Sequence, residues 1–145
     1  MARRFKGVYK VLNVVHERMF TVSNGRITGR AGGMTVVKLT TTGRKSGEPR
    51  ISMLTSPLVE GDTVVLVASF RGGPNHPAWF LNLRDQPRVQ AMRRGADLAM
   101  DAEILTGDER VSLWNRVTSL EPRYARYQSR TEREIPLIVL RPAAS

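Results

Sequence analysis

Thr35-Val36-Val37-Lys38-Leu39-Thr40-Thr41-Thr42, then Gly43-Arg44-Lys45-Ser46-Gly47-Glu48-Pro49, then Arg50-Ile51-Ser52-Met53-Leu54-Thr55-Ser56 reads as strand, loop and strand. The first segment is rich in β-branched residues, whose stiff side chains sit best on a pleated surface. In the loop, Gly43 and Gly47 permit positive φ and let backbone N–H groups crowd together. Arg44 and Lys45 add charge, Ser46 adds a hydroxyl, and Pro49 leads into a third cation, Arg50. Such a loop suits a phosphate or a carboxylate. It is not a Walker A loop, because no Gly-Lys-Ser/Thr triplet closes a Gly-x-x-x-x run. The plain alternative is a hairpin with solvated basic tips.

Working outward toward the C-terminus, Pro57 ends the second strand and Glu60-Gly61-Asp62 makes a turn. Thr63-Val64-Val65-Leu66-Val67-Ala68 is apolar enough for a central strand covered on both faces. Three strands this close in sequence leave no room for βαβ crossovers, so an antiparallel meander is expected and a Rossmann domain is not. A second glycine-rich basic loop, Phe70 to His76, runs into Pro77 and a short helix from Ala78 to Leu83, stopped near Asp85-Gln86-Pro87. Its first N–H groups suit an anion or a carbonyl. His76 serves as a helix cap or a surface residue at least as readily as a catalyst, and Trp79 is more often core than a cofactor platform, a choice that spacing does not settle.

Strands are expected at Arg88–Arg93 and Leu98–Leu105, and Thr106 with Glu109 has the spacing of a capping box opening a helix with an inner stripe of Val111, Trp114 and Val117. A short helix after Pro122 puts Tyr124 and Tyr127 on one face. Ile135 to Leu140 is a last strand. Five or six antiparallel strands with peripheral helices make a mainly β, α+β architecture closing as a small barrel over residues 35–145. Before it, residues 1–34 comprise an amphipathic helix, with Phe5, Val8, Leu12, Val15 and Met19 as its stripe, and a flexible loop over 23–34.

The 145 residues form one domain of ordinary hydrophobicity with a formal charge of +10. That excess draws polyanions or anionic lipid, and the preference for arginine over lysine suits bidentate binding of phosphate and carboxylate. With no cysteine, and histidines only at 16 and 76, thiolate chemistry and a histidine-rich metal site are excluded. No apolar run approaches a membrane span and no signal peptide is evident, so the chain is expected in the cytoplasm. Its basic N-terminal helix is the element suited to an anionic membrane surface.

Leu39 to Arg50, Val67-Ala68-Ser69, Gly72-Gly73, Asn75 to Leu83, and Tyr-x-x-Tyr-Gln-x-Arg-Thr-x-Arg-x-Ile-Pro over 124–136 occur in the order and at the separations of the deazaflavin-dependent nitroreductase family, which this sequence resembles from 35 to 141. The resemblance implies a split β-barrel of the FMN-binding type that binds coenzyme F420 and passes its hydride to a quinone, a nitroaromatic or a similar acceptor. It implies that Arg44, Lys45, Ser46, Gly47 and Arg50 hold the phosphate and acidic tail. Ser52, Met53, Val67, Ala68 and Ser69 would line the ring, with Ala78 and Trp79 closing it. Tyr124, Tyr127 and Ser69 are its candidate proton donors.

Relatives that activate nitro prodrugs often have a tyrosine where this chain has Glu121, a proline where it has Met53 and a tyrosine where it has Thr55. Some have a lysine at the position of Phe70. These differences bear on the acceptor more than on the coenzyme. FMN in place of the deazaflavin, and a non-catalytic carrier of coenzyme or lipid, are the alternative readings. No nucleic acid is expected, because the aromatic residues do not interleave with the cations on a strand face.

Overall fold

The computed structural model describes residues 30–31 and 33–144. The amphipathic helix expected nearer the N-terminus lies outside them. Eight antiparallel strands follow: β1 Arg30–Ala31, β2 Met34–Thr42, β3 Pro49–Ser56, β4 Leu58–Glu60, β5 Thr63–Val67, β6 Arg88–Arg93, β7 Ala96–Ile104 and β8 Leu137–Pro142. Among the described residues three α-helices accompany them: α1 Ala78–Asp85, α2 Gly107–Leu120 and α3 Arg123–Ser129. The loop expected over 23–34 is cut short, since Arg30 and Ala31 pair with Thr35 and Met34 around Gly33, at φ +81°.

The strands lie in the order β1-β2-β6-β7-β8-β5-β4, with β3 also on β2. Only Pro57 separates β3 from β4, so one continuous piece of chain pairs with β2 at one end of the sheet and with β5 at the other. The sheet is thereby curled toward closure, as a barrel requires. Pro57 has no N–H for a ladder and bends the strand, and β4 picks up the new partner beyond it. The expected three-strand meander is therefore two hairpins, β2–β3 and β4–β5. A change of partner carries no periodicity signal that a sequence would show.

Ser56 secures this corner. Its buried hydroxyl donates to Val65 O at 2.6 Å and accepts from Leu58 N at 3.3 Å. Ser56→Ala should lower stability by about 1–2 kcal/mol by leaving these groups unmatched, read as a lower urea midpoint at unchanged slope.

β5 is covered on both faces, as its apolar run implies. Val64, Leu66 and Ala68 join Val37, Leu39 and the α1 residues Phe80 and Leu83 in one buried cluster. Val65 and Val67 face the other way, into a second cluster with Met34, Val117 and Tyr124 beneath α2 and α3. The α2 stripe differs from expectation: Val117 is buried and Leu113 and Trp114 pack at its edge, whereas Val111 is 55% exposed. The capping box is not closed either. Thr106 makes no side-chain cap bond, and Gly107 enters the helix at φ +61°.

Candidate functional site

The β2–β3 connection is rigid at its base and charged at its tip. Gly43 N donates to Glu48 O and Gly47 N to Gly43 O, both at 2.8 Å, and Gly47 takes φ +73°. Ser46 Oγ accepts from Glu48 N at 3.1 Å and Arg50 Nη2 at 3.2 Å, so this hydroxyl folds back to shape the loop. A Cβ on Gly43 would lie 2.6 Å from that oxygen. Arg44, Lys45 and Arg50 are exposed.

One residue of α1 anchors the loop. Asn82, only 6% exposed, accepts from Arg44 N at 3.1 Å through Oδ1 and donates to Thr41 Oγ1 at 3.2 Å through Nδ2. A buried amide in an otherwise apolar helix face has to find such partners. Asn82 is not among the site residues expected from the sequence, although a polar residue on the buried face of an amphipathic helix is the signal that marks it.

The second loop leaves β5 and leads into α1. Ala68 is fully buried and Ser69 9% exposed. Phe70, Arg71 and Gly72 then take φ of +45°, +54° and +78° in a 3-10 turn over Phe70–Gly72. Two successive non-glycine residues in that region store strain that the surroundings have to hold. The surroundings are α3 and the segment after it. Gly72 lies against the Tyr127 backbone, where a Cβ would approach Tyr127 O to 2.5 Å.

Arg133 reaches in from the same segment, donating to Ala68 O (3.2 Å), Ser69 O (2.8 Å) and Gly73 O (2.9 Å) and meeting His76 Nδ1 at 3.1 Å. Gln128 holds the Arg133 segment in turn, donating to Arg133 O at 2.8 Å and accepting from Ile135 N at 2.9 Å.

A guanidinium has no acceptor, so the His76 Nδ1 must accept and the ring proton sits on Nε2. Burial, then the Arg133 and Arg84 charges, lower the His76 pKa below its ordinary 6.5. Below that value the unfolded chain binds more protons at this position than the folded one, so folding stability declines as pH falls. Urea midpoints at pH 7.5 and 5.5 should differ more for the wild type than for His76→Gln.

Several expected site residues come together here and others part. Val67 ends β5 with its side chain in the cluster beneath α2 and α3, whereas the next residue, Ala68, packs in the α1-side core, where Trp79 of α1 is half-buried; Ala78, the first residue of α1, is exposed. Pro77 caps that helix instead of opening it, its carbonyl accepting from Phe80 N and Leu81 N. Ser52 and Met53 are successive in β3 and so present side chains to opposite faces. Met53 packs with Val36 and Met92, and Ser52 pairs with Leu39.

The two tyrosines share a face as expected, edge-on with centroids 6.0 Å apart. Tyr124 is 4% exposed, its hydroxyl donates to Met34 Sδ at 3.4 Å, and burial pushes its pKa up to about 12, against the opposing effect of a Thr55 hydrogen bond. Tyr127 is half-buried, with Arg130 over its ring at 5.5 Å. A cavity of about 530 Å³ between α2 and strands β4, β5 and β8 shares no residue with either loop. Among the described residues no cluster of metal-ligating side chains occurs.

A curled antiparallel sheet flanked by helices, with a cationic hairpin loop and a strained loop joined through one helix, is an α+β fold of the split-barrel kind. Residues 13–142 match the model of the F420H(2)-dependent quinone reductase family. An F420H(2)-dependent quinone reductase of Mycobacterium tuberculosis is 35% identical over 130 residues, covering 87% of each chain. A solved F420-H2 dependent reductase aligns at 36% identity and TM-score 0.65 over 73% of this chain and 93% of its own. A second solved chain, a domain-swapped dimer, aligns at 31% identity and TM-score 0.67 over 90% and 98%. The chain belongs to the F420H(2)-dependent quinone reductase family, a family of oxidoreductases.

Proposed function

We propose that the two loops flanking α1 are the two halves of a deazaflavin site, and that a quinone takes the hydride. The observation that carries this reading is Asn82. It mounts the cationic loop on the same helix that the Val67–Ser69 wall leads into, so a binding group for an anionic tail and a small-residue surface for a ring share one support. The donor set fits the coenzyme: three exposed cations suit a phosphate and a carboxylate tail, and no competing metal cluster occurs among the described residues.

When bound in its reduced form, the deazaflavin supplies a hydride. Arg44, Lys45 and Arg50 hold the tail. Ser69 and Trp79 would line the ring, and the buried Val67, Ala68 and Met53 would back that surface from within the core. A quinone that accepts a hydride also needs one proton. Of the three candidates, Ser69, Tyr124 and Tyr127, the donors are Ser69 and Tyr127. Tyr124 instead shapes the pocket from within the core, because its hydroxyl is engaged by Met34 and its surface is covered.

The stripe of Phe5, Val8, Leu12, Val15 and Met19, with its neighbouring cations, would bring the enzyme to lipid-soluble quinones. Cosedimentation with anionic vesicles, with and without residues 1–29, tests that part. Among the described residues no helix is long and apolar enough to cross a membrane.

Titration with oxidised F420 and, in parallel, FMN, followed by tryptophan fluorescence, tests the site. Saturable binding of the deazaflavin in preference to FMN, then oxidation of the reduced coenzyme on adding a quinone, is the expected result. Preference for FMN would reassign the coenzyme, binding without turnover would make the protein a carrier, and faster turnover with a nitroaromatic would change the acceptor class.

A further inference from the structure

We infer that Arg133 is a positioning residue of hydride transfer, acting through the backbone of the loop that bears Ser69; this rests on the deazaflavin site proposed above. Its guanidinium takes three carbonyl oxygens, Ala68, Ser69 and Gly73, together with His76 Nδ1, from a loop about sixty residues away in sequence. Hydrogen bonds from a charged donor are about twice as strong as neutral ones, and four on one rigid planar group define orientation as well as position.

The consequence falls on the peptide planes. In a trans peptide the C=O and the following N–H point in opposite directions. With the Ala68 carbonyl turned onto Arg133, the Ser69 N–H is directed away from Arg133. The cationic partner also polarises that peptide, strengthening its N–H as a donor.

Arg133 further links the two sides of the site. Tyr127 and Gln128 belong to α3, which packs on the 3-10 turn at Gly72, and Gln128 fastens the Arg133 segment. The left-handed backbone at Phe70 and Arg71 would relax without such a clamp.

Arg133→Lys keeps the charge but cannot span four acceptors, and Arg133→Gln removes the charge. In the coenzyme-free protein, the amides of Gly72 and Gly73, hydrogen-bonded to Ser69 O and Phe70 O within the loop, should exchange about tenfold faster in both variants while β7 and β8 amides keep their protection. With reduced F420 and a quinone, kcat should fall about 10- to 100-fold, with oxidised-coenzyme affinity and quinone KM within about threefold. Millimolar guanidinium should restore part of the rate in Arg133→Ala.

Wild-type kcat and unchanged loop exchange in a folded Arg133→Lys would overturn the assignment. So would faster exchange spread evenly through the sheet, which would reduce Arg133 to a contributor to global stability. If the wild-type protein itself binds no coenzyme, the deazaflavin reading fails, and Arg133's role in hydride transfer fails with it. The exchange data then decide only whether Arg133 holds the loop.

Discussion

Gly72→Ala should lose about 2–5 kcal/mol of stability. Two penalties combine. At φ +78° an L side chain crowds its own backbone, which costs about 1–2 kcal/mol. The new Cβ would also lie 2.5 Å from Tyr127 O and 3.0 Å from Arg130 Cβ, and the first of these neighbours is backbone that cannot rotate away. Overpacking of that kind adds about 1–3 kcal/mol.

Gly61→Ala separates the two contributions. That glycine has φ +59°, but a Cβ added there would meet nothing within 4 Å, so only the conformational penalty of about 1–2 kcal/mol applies. Thermal melts of both variants should show Gly72→Ala shifted further than Gly61→Ala. Equal shifts would mean that α3 yields readily at Tyr127, and that the docking of loop on helix is loose.

The double substitution Lys45→Ala with Arg50→Ala should weaken binding of oxidised F420 by about 100-fold or more and leave the fold intact. Each cation removes a charge-assisted contact worth about 1.5–3 kcal/mol where it meets a phosphate or carboxylate, and every 1.4 kcal/mol is tenfold in affinity. Solvent exposure puts the expected value at the low end of that sum. Both side chains are exposed, and Arg50 is hydrogen-bonded to Ser46 Oγ within the same loop, so the urea midpoint should move by no more than about 0.5 kcal/mol of stability. Wild-type binding should also weaken more steeply with added salt than binding by the double variant. Unchanged affinity in the double variant would remove the basic loop from the coenzyme site.

Much of the site is legible in the sequence. The hairpin 35–56, the doubly covered β5 and the helix beginning at 78 follow from local patterns of branching, alternation and turn residues, and the structure has each of them. The tip of the basic loop is legible too, because Gly47 does take the positive φ that its position calls for. Tyr124 and Tyr127 lie on one face, since three residues along a helix turn most of the way round. Their division of labour is not legible: spacing says which face a residue occupies, whereas burial of Tyr124 depends on Met34, 90 positions away.

By itself the sequence determined most of the elements, the double covering of β5 and the cationic loop, because those depend on interactions within a few residues along the chain; the inner face of α2 and the short strands β1 and β4 did not follow from it. Tertiary structure alone decided that the chain 49–60 changes partner at Pro57, that Asn82 ties the basic loop to α1, and that Arg133 gathers the loop from Ala68 to His76. Each of these joins groups far apart in sequence whose pairing is settled only when the closing barrel brings buried polar atoms together and each has to find a partner.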